Sequence, residues 1–329
     1  MTARRAALLA IALVAVAVAA YFALREPPPR RIAILGMDTQ MQATRVAAFR
    51  DEMKKRGFEE GRNLVVDYVS AEGRFDRLPA LAQEIVSRKP EVIVTAAPPS
   101  VRAAQQATST IPVVMSVHDP VGMGFVNSLA RPGRNMTGIA FQDWELSTKR
   151  LDQMRGVVPG LARIAILWNE AGGGRRTLDE VVRAATALGI ESKEFEVRAP
   201  SDIAPAVAAA RQWGAQAMIQ LASPVITRNR RLLIDALAEH RMPASCELKL
   251  YVEEGCLMTY SADLDQMFRG MAGMTVQILN GAKPQDMPME QPREFDFVIN
   301  METARELGLA IPPLVLLETT GRVEKTVRR

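Results

Sequence analysis

Groups able to carry acid–base or nucleophilic chemistry are scarce in this 329-residue chain: two histidines, two cysteines, and aromatic residues at only 5%. No G-x-S-x-G elbow or H-E-x-x-H helix occurs, and His118 and His240 lie far apart in sequence. A triad hydrolase and a zinc peptidase are therefore not supported. The first apolar run leads into GMDTQMQ rather than G-x-G-x-x-G, which argues against a dinucleotide cofactor. Cys246 and Cys256 without clustered histidines do not make a zinc site. Their spacing leaves two options open, a disulfide or two buried thiols. Net charge is also small: it is +4, and Arg4, Arg5, Arg322, Lys325, Arg328 and Arg329 at the two ends supply much of the excess. A near-neutral body with no basic stripe excludes nucleic acid as the expected partner. No metal and no cofactor is expected.

A long apolar run does stand at the N-terminus. Ala6–Leu24 holds no charge and follows Arg4 and Arg5. As a helix it would span roughly 28 Å at about 1.5 Å per residue, near the hydrocarbon thickness of a bilayer. Basic residues, apolar run and small residues (Ala17, Ala19, Ala20) come in the order of an export signal. Cleavage of that signal and its retention as a membrane anchor both remain open. No cysteine lies near residue 20, so a lipid anchor on cysteine is excluded. Pro27, Pro28 and Pro29 form a stiff spacer that separates the run from the folded body.

The body alternates short apolar runs with helical periodicity. IAILG (32–36), NLVVDYV (63–69), VIVT (92–95) and VVMS (113–116) read as strands, with helices over 44–56, 77–88 and 100–108 between them. A strand at 137–141 and a helix at 145–158 lead into a second series opened by IAILW (164–168). That series continues with helices 176–188, 202–213 and 228–240 and strands 192–197, 217–221 and 243–246. Such β-α-β alternation predicts parallel sheets covered by helices on both faces. The fold class expected is α/β, two Rossmann-like lobes joined by a multi-strand hinge and preceded by the N-terminal apolar helix. The isolated late elements, a strand at 256–260, a helix at 263–279 and alternating EFDFVIN (294–300), are expected to return and complete each lobe. The expected division is 1–30 as signal or anchor plus spacer, 31–141 with about 257–283 as lobe 1, and 142–256 with about 284–320 as lobe 2.

In open parallel sheets, ligands bind outside the carboxyl ends of the strands. The loops there carry Asp38, Thr39 and Gln40; Ala97, Pro98 and Ser100; His118 and Asp119; Asn169; Ser223; Glu247; and Tyr260 and Asp263. Donors, acceptors and one aromatic suit a small polar or zwitterionic solute. The starts of helices 100–108 and 228–240 are expected to hold a carboxylate. Asp119 or Asp263 is expected to pair an amino group, and Tyr260 to cover an apolar part. Ser100 and Asp263 are also placed as helix caps, and Asp119-Pro120 as a plain turn. Gly172–Gly174 precedes a helix but lacks the Lys-Ser/Thr of a phosphate loop, so it reads as a flexible loop.

Several ordered motifs resemble the tryptophan/tyrosine-type family of ABC-transporter substrate-binding proteins. They are AEGRFDRLP (71–79), ATSTIPVV (107–114), DPVG (119–122), SLARPGRNMTG (128–138), ELSTKRLDQM (145–154), EEGCLMTYSAD (253–263), GAKPQDMPMEQP (281–292) and FVINMETARELGLAIPP (297–313). The resemblance covers about residues 31–315. It implies a type I periplasmic-binding fold, two lobes closing on a ligand, delivery to an ABC permease of the inner membrane, a monomer, and no enzymatic activity. A membrane-anchored sensing subunit for a signalling partner is the alternative. The family's cleft turns fall on Ala96–Ser100, His118–Val121, Asn169 and Tyr260–Asp263. Here Ala-Ala-Pro replaces the family's frequent Gly-Thr-Pro, and His118 replaces a small residue; both changes narrow the presumed cleft.

Overall fold

The structure is a computed structural model and describes residues 28–141, 143–170 and 174–326. The apolar run 6–24 and most of the glycine loop 172–174 lie outside the described residues. Among the described residues, no helix is long and apolar enough to cross a membrane.

The first lobe runs β1 (Arg30–Gly36), α1 (Thr39–Lys55), β2 (Leu64–Ser70), α2 (Leu78–Ser87), β3 (Val92–Ala96), α3 (Pro98–Ala107), β4 (Val113–His118) and β5 (Met136–Phe141). Its sheet is entirely parallel, in the order β2-β1-β3-β4-β5. Strand alternation divides the apolar run of β1 between two layers. Ile32 and Ile34 pack with Val46, Phe49 and Met53 of α1, whereas Ala33 and Leu35 face Leu78, Leu81 and Ile85 of α2 and Val101 of α3. At Gly138 in β5, an added Cβ would lie 1.8 Å from the carbonyl oxygen of Met115, so only glycine lets the two strands approach this closely.

The second lobe begins with α4 (Asp143–Val157) and continues with β6 (Arg163–Trp168), α5 (Arg175–Ala187), β7 (Glu191–Glu196), α6 (Ile203–Trp213), β8 (Ala217–Gln220), α7 (Pro224–Arg228), α8 (Arg230–Glu239), β9 (Ala244–Ser245), α9 (Lys249–Glu254) and β10 (Met258–Ala262). Helix α10 (Leu264–Leu279) follows, then β11 (Phe295–Asn300), α11 (Met301–Leu307), α12 (Pro313–Glu318) and β12 (Gly321–Val323). The second sheet has the order β12-β11-β10-β9-β8-β6-β7, with β11 antiparallel to β10. Ala165 and Leu167 of β6 face α6 and α8, while Ile164, Ile166 and Trp168 face α4 and α5.

The chain passes between the lobes at 141–143, 262–264 and 290–295. Helix α10 packs Met267, Phe268 and Met271 onto the first sheet. Strand β10, expected in the first lobe, instead pairs with β9 and β11 in the second sheet. Residues 284–290, expected in the second lobe, stay with the first: the Thr137 hydroxyl donates to Met287 O at 2.9 Å, and Ile139 bridges to Glu290. The cause is antiparallel pairing, which keeps Phe295–Asn300 beside Met258–Ala262 while α10 covers the other sheet.

Other boundaries moved for local reasons. Thr39 and Gln40, expected in a strand-end loop ahead of the helix 44–56, open α1, and the expected helix 228–240 breaks at Asn229 into α7 and α8. Helix α3 opens on Pro98-Pro99, earlier than Ser100, because proline fits the first helical turn. Cys246 and Cys256 form a disulfide, Sγ–Sγ 2.01 Å.

Candidate functional site

A cavity of about 160 Å³ lies between the lobes, at the carboxyl ends of both sets of strands. The first lobe contributes Ala96, Ala97 and Pro98 after β3, Ser116 and His118 at the end of β4, and Asp38, Gln42 and Arg45 on or beside α1. It also contributes three phenylalanines: Phe75 from the loop after β2, Phe141 at the end of β5 and Phe268 from α10. The second lobe contributes Asp143, Leu146 and Arg150 of α4, Ser223, Thr227 and Arg228 around α7, and Glu247 and Leu248 after β9.

Arg150 organises the second-lobe wall. Its side chain is 1% exposed, and every guanidinium nitrogen donates a hydrogen bond. Nε binds Tyr260 O at 2.8 Å, Nη1 binds Ser147 Oγ at 2.9 Å and Asp143 Oδ1 at 3.4 Å, and Nη2 binds Glu247 O at 3.3 Å. A buried arginine requires such saturation. One side chain thereby fixes the main chain of Tyr260 and Glu247 against α4.

Glu247 is the site's perturbed group. Burial, with the nearby Asp143 charge adding to it, pushes its carboxyl up to about 7 against the opposing pull of Arg150, the Ser223 N–H and Arg45. Its main-chain N–H donates to Gln220 Oε1 at 2.9 Å, which locks the residue at the strand end. Thr227 lies 3.5 Å from Glu247 Oε2, but its hydroxyl proton is better placed toward Ser223 O at 2.8 Å. The same hydroxyl oxygen accepts from Tyr251 at 2.9 Å. Opposite stands Arg45, whose pKa is lowered by burial and sustained by Glu247 and Asp265; an arginine remains charged at neutral pH. A carboxyl and a guanidinium from different lobes thus share a small, otherwise largely apolar space.

The lobes touch at both sides of this cavity. Arg228 Nη1 donates to Glu72 O at 3.0 Å, lying across Gly73. A Cβ at Gly73 would fall 0.6 Å from that nitrogen, and its φ of +69° is also glycine-like, so the contact requires glycine. Farther out, Arg176 pairs with Asp119 at 3.2 Å and stacks on Trp144, its guanidinium carbon 3.8 Å from the ring centre. This is a closed arrangement of the lobes.

Of the residues chosen from sequence, Asp38, Ala97, Pro98, His118, Ser223 and Glu247 line the cavity. The others do not. The hydroxyl of Thr39 donates to Glu72, and the side chain of Gln40 lies outside the described residues. Ser100 turns its hydroxyl back to Ala96 O, and Asn169 donates to Val197 O at 2.7 Å. Asp119 accepts from Gly122 N at 3.0 Å and pairs with Arg176 outside the cavity. Tyr260 stacks on Phe295, and Asp263 caps α10 by accepting from Gln266 N at 3.0 Å. Of the two expected helix starts, that of α3 opens on two prolines that carry no N–H, and the one expected at 228 falls at the end of α7, whose own first turn Ser223 Oγ caps through Ile226 N at 3.2 Å.

Arg45, Arg150 and the three phenylalanines were missed. Arg45 and Arg150 sit inside helices where a charge normally reads as solvated surface, and phenylalanines at helical or strand spacing read as core. The one available signal for Arg150 was Ser147 and Asp143, three and seven residues earlier on the same helix face. Among the described residues, no cluster of side chains fit to hold a metal occurs.

Known proteins agree with this architecture. A protein called tyrosine-binding protein from Clostridioides difficile strain R20291 is 23% identical over 260 residues, 78% of this chain and 74% of its own. The crystal structure of an ABC domain in complex with L-Trp from Streptococcus pneumonia superposes with a TM-score of 0.84 at 22% identity, covering 90% of this chain and 100% of that one. The ligand-free, open structure of a substrate-binding protein with adhesive properties from Clostridium difficile superposes less closely, with a TM-score of 0.71 at 22% identity, over 91% and 100% of the two chains. The model of the family described as ABC transporter substrate binding protein matches residues 33–323, nearly the whole body with both lobes and every crossing between them. The cleft, the hinge and this match agree with the resemblance seen in the motifs: the chain belongs to the ABC transporter substrate-binding protein family, whose members bind solutes rather than transform them.

Proposed function

We propose that this protein captures a single amino acid with an apolar or aromatic side chain outside the cytoplasm and presents it, enclosed, to an ABC permease. The observation that carries this reading is the pairing of Glu247 and Arg45 across a cavity that also holds Phe75, Phe141 and Phe268. Arg150 and Arg45 offset only part of the burial that the ionised Glu247 carboxyl suffers, and a ligand ammonium would offset more of it. Arg45 suits the ligand carboxylate, and the phenylalanines suit its side chain. The volume is close to that of an engineered cavity of about 150 Å³ that admits benzene, which favours one amino acid over an oligosaccharide. The names of the relatives, one a tyrosine-binding protein and one solved with L-Trp, point to the same ligand class. The ligand would shift an open–closed equilibrium by binding the closed state better. Export would rest on the N-terminal apolar run, and a monomer suffices, because the described cavity is complete within one chain.

The test is thermal unfolding of residues 31–329 with L-tryptophan, L-tyrosine, L-phenylalanine and L-leucine, and with tryptamine and indole propionate as controls lacking one charge each. A ligand at about 100 times its Kd adds about 2.7 kcal/mol of stability. Amino acids that stabilise while both controls fail support the reading. Equal stabilisation by the controls, or none by any amino acid after refolding, would overturn it.

A further inference from the structure

Glu247 reaches the cavity on an unusually weak strand. β9 is only two residues long, yet it is the central strand of the second sheet. It pairs with β10 at a single position, Ser245 with Met258, and with β8 at two, Met218 with Ala244 and Ile219 with Ser245. A central strand normally gains its fixed position from a longer ladder. Here the chain leaves the sheet at Cys246, puts Glu247 and Leu248 into the cavity wall, turns through α9 and Gly255, and returns at Cys256 to β10. β10 then delivers Ser261 and Ala262 to the same wall.

The disulfide closes this excursion at its base, where the ladder is thinnest. Both cysteines are at most 1% exposed, inside the second-lobe core. The Cys246 N–H donates to Met258 O at 2.9 Å and the Thr259 hydroxyl to Cys246 O at 2.7 Å, which clamps the cysteine end, while the main chain of Glu247 is held from outside the arm by Gln220 and Arg150. Tyr251 and Val252 bury the middle of the arm.

We propose that the Cys246–Cys256 disulfide is a positioning element of the ligand site, a covalent substitute for strand pairing that holds Glu247 at the cavity wall. It rests on the reading of Glu247 as the partner of the ligand's ammonium. The bridge touches no ligand and acts through the residue that follows it.

The experiment uses the whole body, residues 31–329, with Cys246→Ser/Cys256→Ser and, as an apolar pair, Cys246→Ala/Cys256→Val. Calorimetric titration with L-tryptophan and L-tyrosine compares each pair with the parent, with Glu247→Gln, and with the combined variants. Removing the bridge is expected to lower affinity about five- to tenfold and to add little once Glu247 is already Gln, the non-additivity that coupled residues show. Losses that simply add, or an unchanged affinity with a lower Tm, would reduce the bridge to a structural staple and overturn the proposal. Hydrogen exchange without ligand separates this from failure of the amino-acid reading. Amides 247–255 should exchange faster in the variants while those of β6 and β8 keep their protection; unchanged exchange in 247–255 overturns the proposal whatever the ligand is. Failure of both pairs to fold would also overturn it, since the bridge would then be a requirement of the fold.

Discussion

The two walls of the cleft are built from different chemistry. All three cavity phenylalanines, Phe75, Phe141 and Phe268, stand on the first lobe. Among the described residues the second lobe supplies no aromatic ring to the wall but brings Asp143, Arg150, Arg228 and Glu247. An apolar surface attracts a solute without needing a closed, dry environment, whereas a buried carboxyl discriminates strongly only once water is excluded. The difference suggests an order of events: the solute seats on the first lobe, its side chain on the phenylalanines and its carboxylate at Arg45, and the second lobe then closes Glu247 over its ammonium.

Breaking the polar wall should have the largest effect. Glu247→Gln is expected to cost about 2 kcal/mol or more of binding, roughly 30-fold in Kd, as when one member of a buried charge pair is removed. The pH dependence sharpens the attribution. With the carboxyl at about 7, acid neutralises it, and affinity for an ammonium ligand should fall as pH drops below about 7, levelling off near the loss seen in Glu247→Gln. Stability of the empty protein should move the other way. A carboxyl raised by folding favours the fold while both states hold the proton, and this contribution is lost as pH rises from the unfolded value near 4.5 through about 7. Glu247→Gln should flatten both profiles in titrations and thermal scans between pH 5 and 8.

The apolar wall should respond differently. Phe141→Ala removes a half-buried ring, and about 1 kcal/mol of binding to an aromatic amino acid, about fivefold, is expected to go with it. The pH profile should keep its shape, because Phe141 does not touch the carboxyl chemistry. A profile that changed would mean the two walls are not separable. On the same lobe, Ala97 caps α3 at φ 71° and ψ 146°, a conformation costly to any residue with a Cβ. Ala97→Gly is expected to raise stability by about 1 kcal/mol in chemical denaturation, leaving the pH profile intact.

Much of the architecture was legible in the sequence because buried parallel strands are apolar on both faces. IAILG and IAILW announce themselves, and the turns after β3 and β4 carry proline and Asp-Pro punctuation. Position along the strand end was readable too, which is why Glu247, His118 and Pro98 were found. What a strand-end rule lacks is direction: Asp119 sits one residue beyond His118, but its φ of 42° turns the side chain toward Arg176 instead of the cavity. Arg45 and Arg150 were invisible for the opposite reason. They enter the cleft from helix faces, and only the crossing of two lobes decides that those faces meet each other rather than water. The short elements α9, α12 and β12 depend on long-range contacts and carry no periodicity long enough to read.

The outer contact between the lobes gives the smallest and most specific test of the comparison. Arg176 is more than half exposed, so its pair with Asp119 is screened by solvent, and stacking on Trp144 adds a similarly modest attraction. Neither side chain lines the cavity, so Arg176→Ala leaves both walls chemically intact and removes only a force that keeps them together. Its expected effect is therefore on departure: the ligand's dissociation rate should rise about two- to threefold, with the association rate unchanged. The parent's dissociation rate should increase with ionic strength, and the variant's should not. Asp119→Asn should match Arg176→Ala, and the double variant should be no worse than either. Stopped-flow fluorescence, with Trp144 as a reporter, would resolve these rates. Unchanged dissociation in Arg176→Ala would place the force for closure wholly in the charged wall, making Glu247 and Arg228 responsible for both recognition and retention.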